Sequence, residues 1–323
     1  MNQRETTARV GLGLAALGRP AYITAGRDED LGQDRTVAQM ERRSHEVLDT
    51  AYEAGVRYVD VARSYGLAEA FLSSWLGSRD IPFGALTVGS KWGYVYTGGW
   101  RMDVDVHEVK DHSVGAFRRQ LGETCELLGD WLTLYQIHSV TADDDTLGDR
   151  ALLRELLRLH DDGLRVGLTV SGPRQAEVVW RALEVEEDRR NPFSSVQATW
   201  NLLDPSVSPA LADASDHGWT VIVKEVLANG RLTPHDVGVC AAADPLGSVA
   251  SRHRVGADAV AVAAALANPW ASTVLSGAAT SSQLLSNLIA TTVKLTADDL
   301  TELGSLAETP DNYWAARSAR PWT

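Results

Sequence analysis

The sequence predicts a single (β/α)8 barrel. Short apolar runs rich in Val, Ile, Leu and Thr recur eight times, each is followed by a helix-like segment, and no linker or shift in composition divides the 323 residues. Regular β-then-α alternation implies parallel strands joined by helical crossovers. Eight such units over this length match a closed barrel better than an open sheet. Residues 291–323 are then a helix and a tail packed outside the barrel, and the whole chain, 1–323, is one domain.

The elements follow in order. Arg9–Ala15 reads as a first strand ending on glycines, and residues 18–35, rich in Gly, Asp and Arg, as a loop. Thr36–Ala54 has helical spacing, with Val37, Met40, Val47, Leu48 and Ala51 near one face, and Gly55 stops it. Val56–Asp60 is the second strand. Ala68–Leu76 is helical, Leu86–Lys91 a strand, and Val106–Leu128 a long amphipathic helix. Trp131–His138 is the fourth strand, Asp149–His160 a helix, and Arg165–Val170 the fifth strand. Pro173–Glu187 is a helix with proline near its start. Ser195–Trp200 and Trp219–Lys224 are strands separated by a helix over Pro205–His217. A helix over Ser248–Ala267 precedes the eighth strand, Ser272–Gly277, and Ser281–Ala290 closes the pattern as a helix.

Composition narrows the function classes. The net charge of −13 argues against binding a nucleic-acid backbone or an anionic membrane surface. The longest apolar run, Ala257–Ala267, carries Asp258 and is too short to span a bilayer. Met1–Val10 lacks the apolar stretch of a signal peptide. Two cysteines, Cys125 and Cys240, imply no disulfide framework, so a cytoplasmic location is expected. Metal-ligand spacing is not evident: His107 and His112 have no convincing partners. Gly11-x-Gly13 lacks the third glycine of a Rossmann fingerprint. Asp143-Asp144-Asp145 reads as a solvated loop. Nothing predicts the oligomeric state.

In such a barrel the reacting groups sit at the C-terminal strand ends. Those ends carry Asp60, with Tyr65 five residues on, then Lys91, His138, Thr169, Gln197, and Lys224 beside Glu225. A tyrosine with an ordinary pKa of about 10 is a poor acid. A nearby ammonium lowers it, an aspartate holds that ammonium in place, and a histidine positions a carbonyl oxygen or relays the proton. Such a site protonates a developing alkoxide. No side chain donates hydride, so a nicotinamide cofactor is implied.

The quartet Asp60, Tyr65, Lys91 and His138 resembles the catalytic tetrad of the aldo-keto reductases. The contexts resemble it too: Gly55 to Asp60, Tyr65-Gly66, Ser90-Lys91, and Leu134 to His138. The resemblance spans Gly11 to about Ala290. It implies a (β/α)8 barrel and reversible, nicotinamide-dependent carbonyl reduction. Tyr65 would be the general acid, Lys91 and Asp60 would tune it, and His138 would orient the carbonyl.

The resemblance also assigns cofactor residues. Gln197 would hold the carboxamide, with Gly13 nearby. Thr169-Val170 stands where a Ser-Asn pair is common. Lys224 stands where an aromatic residue commonly stacks on the nicotinamide; it either pairs with Glu225 or adds a second cation to the site. Gly277 and Ala278 open a helix whose free N–H groups suit a phosphate, with Gln283 and Asn287 at matching positions. Arg231 is either a pyrophosphate ligand or an exposed arginine. NADP(H) is the cofactor the family implies, but Ala279 and Thr280 stand where Arg or Lys is frequent, which leaves NAD(H) open. Trp92, Tyr94 and Trp100, with Tyr96, are expected to wall a small-molecule carbonyl or alcohol substrate, and Tyr22 and Trp314 to add to that wall.

The expected function is reduction of an aldehyde, ketone or sugar. One alternative is a sugar or alcohol dehydrogenase working with NAD(P)+ in the oxidative direction. Another is a nicotinamide-binding regulatory protein with slow turnover.

Overall fold

Eight parallel strands close into a barrel in the computed structural model, which describes residues 7–23, 27–233 and 244–322. Cys240 and part of the loop before Ser248 lie outside the described residues. The barrel strands are β1 (Val10–Gly13), β2 (Tyr58–Asp60), β3 (Thr87–Trp92), β6 (Leu132–Val140), β7 (Arg165–Val170), β8 (Ser195–Thr199), β9 (Thr220–Lys224) and β10 (Thr273–Ser276). They pair in the order β1-β10-β9-β8-β7-β6-β3-β2, returning to β1.

Side chains alternate along each strand, one inward and the next toward the helices. Tyr58, Leu134, Ile222 and Leu275 form a separate inner cluster. Asp60, Gln136, His138 and Lys224 share the inward parity of those residues. Val59, Tyr135 and Val223 have the other parity and join the larger core under the helices. Two interior glycines make room for the Tyr58 ring. A Cβ on Gly11 would lie 2.9 Å from the ring, and one on Gly89 would clash with its hydroxyl.

The helices shield the strands. α2 (Val37–Glu53) is capped by Thr36, whose side chain accepts from Gln39 N, and Gly55 follows with φ 95°. α3 (Ala68–Ser78), α5 (Arg150–Asp161), α6 (Gln175–Leu183) and α7 (Ser208–Asp216) fall within a few residues of expectation.

Four segments differ. The expected loop over 18–35 contains a short helix, α1 (Arg27–Leu31). The long helix expected from Val106 is a strand and then a shorter helix. β5 (Glu108–Lys110) pairs antiparallel with β4 (Tyr94–Tyr96), and Ser113 caps α4 (Val114–Leu128). Pairing with β4 overrides the local helical spacing. The helix expected over Ser248–Ala267 is two, α8 (Pro245–His253) and α9 (Ala257–Leu266), broken where Arg254 takes φ 58°. After α10 (Ser281–Leu288), residues 291–323 hold two helices, α11 (Ala297–Gly304) and α12 (Pro310–Ser318). Both lie outside the barrel strands, but α12 and the residues after it return to the rim.

Candidate active site

β2 delivers Asp60 inward, and a tight turn then lifts Tyr65 over the same end of the barrel, with Tyr65 N donating to Ala62 O at 3.0 Å. That turn rests on the loop after β1. Leu67 N donates to Gly18 O at 2.7 Å, and a Cβ on Gly18 would lie 2.2 Å from Tyr65 O. Gly66, at φ 64°, would clash in turn with Gly18 O. Gly18→Ala should therefore displace Tyr65 backbone, lowering unfolding stability in urea by about 1–3 kcal/mol and reducing turnover.

Lys91, from β3, is fully buried. Its Nζ forms an ion pair with Asp60 Oδ1, donates to Val61 O at 3.0 Å, and donates to Tyr65 OH at 3.2 Å. Asp60 Oδ2 accepts from Gln197 Nε2 at 2.8 Å and from Tyr58 OH at 3.4 Å. His138, from β6, lies edge-on to Tyr65 with ring centroids 5.5 Å apart, and its Nδ1 is 3.3 Å from Ser64 Oγ. The sequence-derived quartet thus forms one contiguous group.

The electrostatics depart from expectation at Tyr65. Its phenol is pushed well above 10, first by burial and then by Asp60, with Arg19 opposing. The ammonium of Lys91 was expected to lower it, but that charge is paired with Asp60, and burial together with the Asp60 carboxylate holds the proton on the phenol. Burial also pushes the His138 imidazole well below its ordinary value, assisted by Lys91, Lys224 and Arg19. Near neutral pH the site therefore holds a protonated phenol and a neutral imidazole.

These groups open into a cavity of about 620 Å³. One end is lined by Tyr65, His138, Gln197 and Lys224, and the other by Gly277, Ala278, Gln283 and Asn287, with Gly13 also on the wall. Ala279 N donates to Gln283 Oε1 at 2.9 Å, and Asn287 Nδ2 donates to Asp258 Oδ2 at 2.9 Å.

Several expected residues sit elsewhere. Trp92, the last residue of β3, is fully buried with its side chain on the helix side of the strand, 5.1 Å from the Phe117 ring, because inward Lys91 forces its neighbour outward. Trp100 packs edge-on to Phe71, and its Nε1 donates to Arg35 O at 2.8 Å. Tyr94 is not on the cavity wall but packs against His138 with centroids 5.2 Å apart. Thr169 Oγ1 accepts from Ser139 N at 2.7 Å, so its hydroxyl is engaged by backbone. Gln197 spends its Nε2 on Asp60. Arg231 is ion-paired with Glu308 and does not line the cavity. Trp314 is buried with Nε1 donating to Asp204 at 3.0 Å, whereas Tyr22 does line the cavity.

Sequence reasoning missed Arg19, Asn229, Asp258, Arg317 and Trp322, all on the wall. Trp322 stacks on His107 at 4.1 Å, and the Arg19 guanidinium lies 4.6 Å from its ring. These contacts join distant parts of the chain and leave no local pattern.

The aldo/keto reductase family model matches residues 11–308. The chain belongs to the aldo/keto reductase family. Members of that family are nicotinamide-dependent oxidoreductases of carbonyl and alcohol groups, generally using NADP(H). No curated protein matches the sequence. Among solved structures, this aldo-keto reductase is similar to AKR11C1 from Bacillus halodurans, at 20% identity and a TM-score of 0.67, covering 93% of this chain and 92% of that one. It is also similar to the glycerol dehydrogenase AKR11B4 from Gluconobacter oxydans, at 22% identity and a TM-score of 0.66, covering 92% and 90%. At these identities the likeness speaks for the fold. No described helix of this family member is long and apolar enough to cross a membrane.

Proposed function

We propose that this protein reversibly reduces the carbonyl of an aldehyde, ketone or sugar, with Tyr65 as proton donor. The observation that carries the reading is the contact of Lys91 Nζ with Tyr65 OH at 3.2 Å. Lys91 donates to the phenol oxygen, so the phenol's own hydrogen is left for a ligand in the cavity. Family membership and the neutral state of His138 support a second donor role for that ring. If Ser64 donates to Nδ1, the proton sits on Nε2, which has no partner among the described residues. Two neutral donors would then meet one carbonyl oxygen, and the phenol would give up its proton as alkoxide character develops. Asp60 and Gln197 hold Lys91 in register and do not touch the reacting atoms. The exposed free thiol of Cys125 fits a cytoplasmic setting.

A bound nicotinamide dinucleotide would supply the hydride. The far end of the cavity suits the rest of such a molecule. A Cβ on Gly277 would meet nothing within 4 Å, so the chain leaves open space there. Asn229 Oδ1 is buried without a hydrogen-bond partner among the described residues, as expected of an acceptor awaiting a ligand hydroxyl. Asp258 stands on the same wall as Gln283 and Asn287. A carboxylate there favours a ribose hydroxyl over a 2′-phosphate, and no Lys or Arg occurs from Gly277 to Asn287. We therefore favour NAD(H). Titration of tryptophan fluorescence should give tighter binding of NADH than NADPH, and Asp258→Asn should tighten NADPH by roughly 5–10-fold, on the order of 1 kcal/mol, as expected for removing one like charge. Equal affinities in the parent protein would contradict this assignment.

A further inference from the structure

Lys224 and Glu225 stand side by side at the end of β9, and mutual pairing is the simplest expectation. Glu225 is instead engaged by the C-terminal helix. Arg317 donates to it twice, from Nε at 2.7 Å and from Nη2 at 2.5 Å. Two neighbouring cations are also committed: Lys91, buried behind this wall, to Asp60, and Arg19, on it, to Glu108 at 2.8 Å. The Lys224 ammonium has no hydrogen bond or ion pair with any described residue, and the side chain faces the cavity that holds Tyr65 and His138. A partly buried ammonium without a counter-ion is costly. Here the cost is placed beside the reacting centre.

Resting on the reading of Tyr65 as proton donor, we propose that Lys224 binds the carboxylate of the substrate, making the enzyme a reductase of oxo acids and, in reverse with the oxidised nicotinamide as hydride acceptor, a dehydrogenase of hydroxy acids, sugar acids included. A single flexible ammonium suits a monoanion. A phosphate dianion would have to approach Glu225 and Asp60, both of which interact electrostatically with Lys224. The carboxylate would be anchored on Lys224 while the carbonyl oxygen rests on Tyr65, so selectivity for acids arises from one contact outside the proton-transfer group.

The ammonium's own titration offers a second readout. Lys224 is lowered to about 8, chiefly by burial; Glu225 and Asp60 oppose that shift, and Arg317 and Lys91 reinforce it. His138 and Tyr65 face the same space. They are shifted away from that range, the imidazole downward and the phenol upward. Selectivity for acids should therefore be full below pH 8 and fall as pH rises through it.

The test compares kcat/KM for a series of oxo acids, with the carboxylate one to three carbons from the carbonyl, against their methyl esters. The parent protein should favour at least one acid over its ester by about 30-fold or more, and Lys224→Met should bring that ratio close to one. Fluorescence titration with benzoate and cofactor should show the same loss of affinity in Lys224→Met and above pH 8. Parent turnover of esters as well as of acids would overturn the proposal while leaving the reductase reading intact. So would a Lys224→Met variant that keeps the acid preference and changes only the ratio of NADH to NAD+ affinity, because the ammonium would then face the cofactor. Absence of turnover on every substrate would instead count against the reductase reading on which the proposal rests.

Discussion

Tyr65→Phe is expected to lower kcat for carbonyl reduction by at least about 100-fold, the scale of a lost general acid. The ring would stay in place, since its contacts with His138 and Arg19 involve the ring and not the hydroxyl. Lys91 would lose one acceptor but keep Asp60 and Val61 O. Stability should therefore change by only about 1 kcal/mol. Cofactor affinity, read by fluorescence, should be nearly unaltered, which separates loss of proton transfer from loss of binding. The neutral imidazole of His138 faces the same cavity as a second donor. A variant with near-parent turnover would mean that His138 or a water provides the proton, and Tyr65 would be a positioning ring.

The second large effect is Lys91→Met. Both members of the Lys91–Asp60 pair are buried, so removing the cation strands a carboxylate with only the neutral donors Gln197 and Tyr58. Breaking a buried pair from one side costs about 3–5 kcal/mol. Urea unfolding of Lys91→Met should show a loss of that size. Adding Asp60→Asn should restore much of it, because no uncompensated charge then remains. Turnover should stay low in both, since neither variant has a donor to hold the Tyr65 oxygen. If the double variant is no more stable than the single one, the pair contributes through packing and not through charge.

The barrel was legible because its signals are local. Each strand is a short β-branched run, and Asp60, Lys91 and His138 lie at strand ends where the closed topology brings them together. The alternation also held a signal that aromatic crowding obscured. With Lys91 facing inward, Trp92 had to face the helices, and it packs there on Phe117. The β4–β5 hairpin was unreadable because its residues have helical spacing and are fixed by pairing across the turn and by Arg19 with Glu108, 89 residues apart. Arg317 on Glu225 spans 92 residues. No window of sequence carries such a contact, and it is the one that leaves the Lys224 ammonium without an ion pair among the described residues.

The central claim is that this cavity passes hydride to a carbonyl as Tyr65 protonates it. The most direct measurement is multiple turnover of aldehydes and oxo acids with NADH or NADPH deuterated at C4, followed by NMR of the alcohol. The claim predicts deuterium on the former carbonyl carbon over many turnovers in the parent protein, and an isotope-labelled product formed at least about 100-fold more slowly by Tyr65→Phe. Tight cofactor binding with no labelled alcohol from any substrate would contradict it and favour a nicotinamide-binding regulatory protein.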